Sequence, residues 1–133
     1  MYSVKQLFEV SYAHRLMLHN GRCRFLHGHN AMVEVTLSAP KTGKNGMVLD
    51  FGDIKAALKN WLDKTFDHKT LLNKKDPLAA ALKKAGENPV LLDGDSTAEN
   101  MALMIFKGAK ALGLKPRKVS VRETANSCAE YEP

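Results

Sequence analysis

The feature that most restricts the fold of this 133-residue chain is a change of hydrophobic period within its first half. From Asn30 to Ala39, Val33, Val35 and Leu37 fall on one face while Glu34, Thr36 and Ser38 fall on the other, the period of a half-buried strand. Pro40 and the Lys41–Gly46 stretch punctuate a turn. Beyond it, Ile54, Ala57, Leu58, Trp61 and Leu62 recur at i, i+3, i+4, i+7 and i+8, one stripe of an amphipathic helix. Asp50-Phe51-Gly52-Asp53 offers carboxylates to cap it. A strand and a helix that are each apolar on one side must cover one another, so the chain is expected to build an α+β layer.

The remaining segments extend that layer. Ser3–His14 alternates loosely, with Phe8, Val10, Tyr12 and His14 on one parity, and reads as a strand. A second helix is predicted from Ser96-Thr97-Ala98-Glu99, with Ser96 as N-cap and Glu99 as its capping-box partner, which leaves Glu99 no catalytic role. Its stripe is Met101, Met104, Ile105, Gly108, Ala109 and Leu112, ended by Gly113 and Pro116. Two short strands follow, Arg117–Thr124 and Ser127–Glu132. Residues 69–95 are mostly polar, with Leu71-Leu72, Leu78–Leu82 and Val90–Leu92 as candidate short elements. The order strand, strand, helix, helix, strand, strand suits a four-stranded antiparallel sheet with two helices on one face, in a single domain over residues 1–133. The second sheet face needs a cover, for which subunit association is one candidate.

Composition narrows the classes of function. Apolar residues make up 44% and charged residues 26%, the balance of a globular protein. No apolar run approaches the ~18 residues of a membrane span, and Met1–Gln6 lacks the apolar core of a secretory signal, so a cytoplasmic location is expected. Twenty Lys plus Arg against fourteen Asp plus Glu give +6, which favours an anionic partner. The basic residues form no block of five and lack interleaved aromatics, which speaks against nucleic acid and a membrane surface and leaves a small phosphorylated substrate. Cys23 and Cys128 are far apart, so a disulfide framework is not expected and either could be a free thiol.

Five histidines fall unevenly. His27 and His29 flank Gly28, so in extended backbone both imidazoles leave the same face, and a hairpin would bring His14 beside them. Three neutral imidazoles without a fourth protein ligand form the pattern of a catalytic zinc site; hydrogen-bonded surface or core histidines explain the same spacing. Cys23, between Arg22 and Arg24, could act as a base or nucleophile, or could be the fourth ligand of a structural site. Asp67-His68 could be a carboxylate orienting an imidazole, although adjacent side chains usually point apart and a cap or surface pair explains it as well. Glu123 shares the parity of Val119 and Val121, which puts a carboxylate on an apolar face where it needs a partner. Either the strand frays there, or the carboxylate grips two N–H donors of a heterocycle.

Together, Ala13-His14-Arg15-Leu16, Cys23-x3-His27-Gly28-His29-Asn30, Gly46-Met47-Val48-Leu49-Asp50-Phe51, Asp67-His68-x-x-Leu71-Leu72-Asn73, Thr97-Ala98-Glu99-Asn100 and Glu123-Thr124 form an ordered set over nearly the whole chain. That set resembles the 6-pyruvoyl-tetrahydropterin synthase / 6-carboxytetrahydropterin synthase family. The resemblance implies the tunnelling fold, with ββααββ subunits joined as trimeric barrels and two trimers stacked into a hexamer. It implies zinc held by His14, His27 and His29, Cys23 as general base, Asp67 and His68 assisting proton movement from a neighbouring subunit, and Glu123 anchoring a pterin ring. The implied substrate is 7,8-dihydroneopterin triphosphate.

Two products occur in the family. One branch retains the side chain as 6-pyruvoyl-tetrahydropterin. The other releases acetaldehyde and leaves 6-carboxy-tetrahydropterin, on the route to deazaguanine nucleosides such as queuosine. The Cys23-to-His27 spacing, the chain length and the Glu123–Tyr131 ending are closer to the carboxy-forming bacterial group. Cys23 stands where a folate-pathway group carries Glu. A non-catalytic pterin- or metal-binding paralogue is the competing class, against which stand Cys23, Asp67 and His68, all present. Three departures from the pattern stand out: Ala31 replaces an aromatic and is expected to loosen packing beside the metal, Ser96 replaces a proline, and the Lys74–Asp95 segment is long.

Overall fold

A computed structural model describes residues 1–133. Two long strands dominate it, β1 (Tyr2–His14) and β2 (His27–Ala39), paired antiparallel along their full length from Tyr2 opposite Ala39 to His14 opposite His27. β5 (Pro116–Thr124) continues the sheet antiparallel beside β2, and β6 (Ser127–Tyr131) closes that edge. On the other side of β1 lie two short parallel strands, β3 (Lys69–Asn73) and β4 (Val90–Leu92). The sheet order is therefore β4-β3-β1-β2-β5-β6.

The four expected strands form its antiparallel part, but the complete sheet has six strands and is mixed. The two additions come from Leu71-Leu72 and Val90–Leu92, apolar runs too short to show a period; Leu71 and Leu72 are fully buried, whereas Leu91 on the edge strand β4 is 38% exposed. Leu78–Leu82 likewise forms a third helix, α2 (Leu78–Lys84), in addition to α1 (Phe51–Thr65) and α3 (Ala98–Ala111).

One sheet face and the helices share the core. Phe8, Val10, Ala31, Val33, Val35, Leu37, Val119 and Val121 pack with Ile54, Leu58 and Leu62 of α1 and Met101, Ala102, Ile105 and Ala109 of α3. The α3 stripe is wider than expected, because Ala102 and Phe106 are also buried, and it ends earlier, because Leu112 is 42% exposed at the C-cap. The opposite sheet face, expected to require a cover, is largely polar: Lys5 pairs with Glu34 at 2.8 Å, Asn30 bonds Glu9, and Lys118 pairs with Glu130 at 3.0 Å. Antiparallel sheets tolerate water on such a face. Leu7, Met32 and, on the edge strand β4, Leu91 stand out on it as exposed large apolar side chains. No helix is long and apolar enough to cross a membrane.

The helix starts differ in an instructive way. Asp50 caps α1 as expected, accepting the Gly52 N–H at 2.6 Å. α3 is capped by Thr97, whose hydroxyl accepts the Asn100 N–H at 3.2 Å. Ser96 is not the cap, and Glu99 is not its capping-box partner: Ser96 is wholly buried and its hydroxyl donates to the Leu71 carbonyl at 2.8 Å, joining the helix start to β3.

α1 and α3 touch where Gly108 faces Trp61, and a Cβ at position 108 would lie 2.3 Å from the indole. On propensity alone Gly108→Ala should stabilise α3 by about 1 kcal/mol. The indole contact reverses the sign, so thermal unfolding of Gly108→Ala should show a net loss of about 1–3 kcal/mol, the usual cost of overpacking.

Candidate metal centre and active site

The end of the core face beside the loop that joins β1 to β2 carries the chemistry. His14 is the last residue of β1, His27 and His29 lie at the start of β2, and the register sets His14 opposite His27 and Tyr12 opposite His29. All of these side chains have the parity of the buried core residues, so the three imidazoles converge, with ring centroids 4.6 Å (His14–His27), 5.1 Å (His14–His29) and 5.2 Å (His27–His29) apart. One donor atom from each lies within 4.8 Å of the others. Gly28 between the two β2 histidines faces the opposite side, where a Cβ would come 3.0 Å from the Tyr12 carbonyl oxygen.

Backbone carbonyls orient two of the rings. His14 Nδ1 lies 2.8 Å from the Ser96 oxygen and His27 Nδ1 lies 2.7 Å from the Phe25 oxygen. A carbonyl only accepts, so each Nδ1 carries the proton and each neutral ring keeps its lone pair at Nε2. His14 is 2% exposed, and burial pushes its pKa down, with the Ser96 bond and the Glu123 carboxylate opposing. Its Nε2 is buried and has no hydrogen-bond partner. A neutral imidazole with a free, buried lone pair, beside two more imidazoles, fits a borderline metal ion such as zinc. Cys23 is outside this cluster, which removes it as a fourth ligand.

Glu123 extends the same face from β5. Its Oε1 accepts the Tyr12 hydroxyl at 2.7 Å and lies 3.6 Å from His14 Nε2, and its Oε2 lies 3.8 Å from His29 Nε2. The strand does not fray there, and the Tyr12 hydroxyl is the partner that the carboxylate's half-buried position demands. Burial, and next the bonded Glu123 carboxylate, push the Tyr12 phenol far above its ordinary value, so Tyr12 remains a neutral donor. Ala31, expected to loosen packing here, is fully buried, and Tyr12 on the same face is 5% exposed.

Cys23 sits half-buried in a 3-10 turn, Arg22–Arg24, and its carbonyl accepts the Leu16 N–H at 2.7 Å, tying this loop to the residues just past His14. Of its flanking arginines, Arg24 lies over the Phe25 ring, 4.8 Å from its centroid.

Asp67 and His68 do meet each other directly, at 2.7 Å between Oδ2 and Nδ1. Adjacent side chains can do so here because His68 has a positive φ of 56°, a conformation more accessible to His than to most residues. Ser11 clamps this corner from β1, donating its N–H to Asp67 Oδ1 at 2.9 Å and accepting the His68 N–H at 2.7 Å. Burial works to raise the Asp67 pKa, but the Ser11 and His68 bonds outweigh it and hold the carboxyl below its usual range. The His68 side chain is 83% exposed. It lines an open groove with Ser11, His29 and Asn30, and no hydrogen bond joins it or Asp67 to Cys23 within the chain.

The motifs assign no role to several contributors. The Ser96 and Phe25 carbonyls are backbone groups, invisible in the residue pattern. Tyr12 shares the parity of His14, but only the register reveals that it reaches Glu123. Arg15, next to His14, bonds Asp76 through Nε at 2.7 Å and also through its terminal nitrogen, and Asp76 accepts the Leu78 N–H at 2.9 Å. The Arg15 guanidinium, ahead of an opposing burial effect, holds the Asp76 carboxyl low. Since the Asp76 side chain is fully buried, Asp76→Ala would strand Arg15 and free the start of α2. Denaturant unfolding at fixed protein concentration should show a loss of about 3 kcal/mol, as for one partner removed from a buried pair.

A family model described as 6-pyruvoyl tetrahydropterin synthase matches residues 3–133. A 6-carboxy-5,6,7,8-tetrahydropterin synthase of Rickettsia typhi is 40% identical over 92 residues, covering 68% of this chain and 67% of that one. The protein of the same name from Haemophilus influenzae is 30% identical over 140 residues and covers 99% of both chains. Among solved structures, the 6-pyruvoyl tetrahydropterin synthase of Caenorhabditis elegans superposes with a TM-score of 0.74 at 26% identity, over 99% of this chain and 95% of that one.

Proposed function

The chain belongs to the 6-pyruvoyl tetrahydropterin synthase family, and from that premise we propose that it converts 7,8-dihydroneopterin triphosphate to 6-carboxy-5,6,7,8-tetrahydropterin, with release of acetaldehyde and triphosphate. The observation that carries this reading is the buried, unpartnered Nε2 of His14 among three converging imidazoles, two of them oriented by backbone carbonyls. His14, His27 and His29 would hold zinc and leave a position for substrate oxygen. Zinc bound there supplies Lewis acidity toward the hydroxyls of the substrate side chain.

The chain's own residues supply the rest. Glu123 accepts the N–H groups of the pterin ring; a carboxylate has about four lone-pair sites, so the Tyr12 bond leaves it free acceptors. Cys23 takes a proton from the substrate side chain. Asp67 orients the His68 imidazole through its Nδ1, leaving Nε2 to relay the proton. His68 lies exposed in the turn before β3, and its reach to Cys23 then requires a second subunit, in keeping with a hexamer of two trimers with sites between chains. The excess of basic residues suits a triphosphate substrate.

The test is to incubate zinc-loaded protein with 7,8-dihydroneopterin triphosphate and measure pterins and acetaldehyde together by mass spectrometry. Carboxy-pterin with matching acetaldehyde is the expected result. Pyruvoyl-pterin without acetaldehyde would move the protein to the other branch, and no product from metal-loaded protein would remove the substrate assignment. His27→Ala should purify with little bound zinc by elemental analysis; a normal metal content would refute the ligand set. Cys23→Ala should keep its zinc and its size by light scattering while turnover falls by at least about a hundredfold, the lower range for a general base.

A further inference from the structure

The Glu123 carboxylate lies very near the three-histidine cluster. Its two oxygens are 3.6 Å from His14 Nε2 and 3.8 Å from His29 Nε2. Ligand atoms of a tetrahedral zinc ion, each about 2.0–2.1 Å from the metal, stand only ~3.3 Å apart. A small side-chain rotation would therefore make Glu123 a fourth ligand, closing the site and consuming the group that is to receive the substrate ring. One contact opposes that rotation, the 2.7 Å bond from the Tyr12 hydroxyl to Oε1.

Tyr12 is built to hold this bond. It is 5% exposed and lies opposite His29 in the β1–β2 register. Its ring stands edge-on to His14, with centroids 5.3 Å apart, and tilted against His29 at 5.9 Å. Ala31, a diagonal neighbour on the same face through its pairing with Val10, has a side chain small enough to leave the ring room. A ring wedged against two imidazoles delivers its hydroxyl to a fixed point.

We propose that Tyr12 is a positioning residue that holds the Glu123 carboxylate beside the metal centre and off the metal, so that the fourth position stays open and the carboxylate stays available to substrate. The proposal rests on the metal and substrate reading given above. Without the hydroxyl, the half-buried carboxylate loses its donor and finds its nearest replacement at the metal.

Tyr12→Phe removes the hydroxyl and keeps the ring. Titrated with Co2+ alone, this variant should bind the ion about tenfold more tightly than wild type and show a shifted visible ligand-field spectrum. Its KM for dihydroneopterin triphosphate should rise about tenfold, with a smaller change in kcat. In the Glu123→Gln background the same substitution should move neither the spectrum nor KM, because the group it acts through is gone. An unchanged spectrum and KM in Tyr12→Phe would overturn the proposal, as would an equal shift in the Glu123→Gln background, which would mark Tyr12 as packing only. A wild-type protein that takes up no cobalt would instead remove the reading of the site itself, and the proposal with it.

Discussion

The register of β1 against β2 is the constraint on which the rest depends. Side chains alternate along a strand, so a slip of one residue would carry Phe8, Val10, Tyr12 and His14 to the solvent side relative to Val33, Ala31, His29 and His27. Both faces fix this alignment. On the core face, those apolar residues close against α1 and α3. On the outer face, Ser11 meets Asn30 directly, with 3.0 Å between Oγ and Oδ1, and Lys5 reaches Glu34 on the diagonal. The pairing that makes a core in the middle of the hairpin therefore makes a histidine cluster at its end.

The cluster is finished by segments that lie far away in the chain. Ser96 joins them twice: its hydroxyl holds the Leu71 carbonyl and its own carbonyl holds His14. Asp95 accepts the Leu18 N–H at 3.0 Å and the Asn73 amide at 3.0 Å, and Asp76 receives Arg15. The loop after His14 and the long 74–95 segment thus hold one another in place. That segment is tied to the loop by hydrogen bonds, while the metal-facing side chains all come from the sheet.

Much of this was legible in the residues. Alternation around Val33–Leu37 and the Ile54–Leu62 stripe gave the correct element types because each has one wet face and one dry face. His-Gly-His on a strand gave two same-side imidazoles for the same reason. β3 and β4 were harder, since five or three residues are too few to show a period. Ser96 misled because the sequence Ser-x-x-Glu looks like a cap, whereas a neighbouring Thr97 with the same chemistry took that position and released Ser96 to the core. At Asp67-His68 the adjacency argument assumed ordinary backbone, and a positive φ at His68 defeated it. Glu123 announced through its parity that it needed a partner, but nothing local could name Tyr12, 111 residues away.

The placement of these groups also explains how a stable core can end in a reactive site. A buried nitrogen without a partner costs about 1–3 kcal/mol, and evolution of a core normally removes it. Here the orphan is His14 Nε2, and the surrounding geometry makes it hard to satisfy from within the protein: Ser96 already holds the Nδ1 proton, and the nearest carboxylate oxygen, at 3.6 Å and bonded to Tyr12, can only accept. No hydrogen-bond donor reaches its lone pair. The strain is small beside the burial of the core residues that continue along the same two strands, so the fold can carry it. What the same arrangement denies to internal groups it leaves to a cation, which can satisfy the three imidazoles together and return the cost as binding energy.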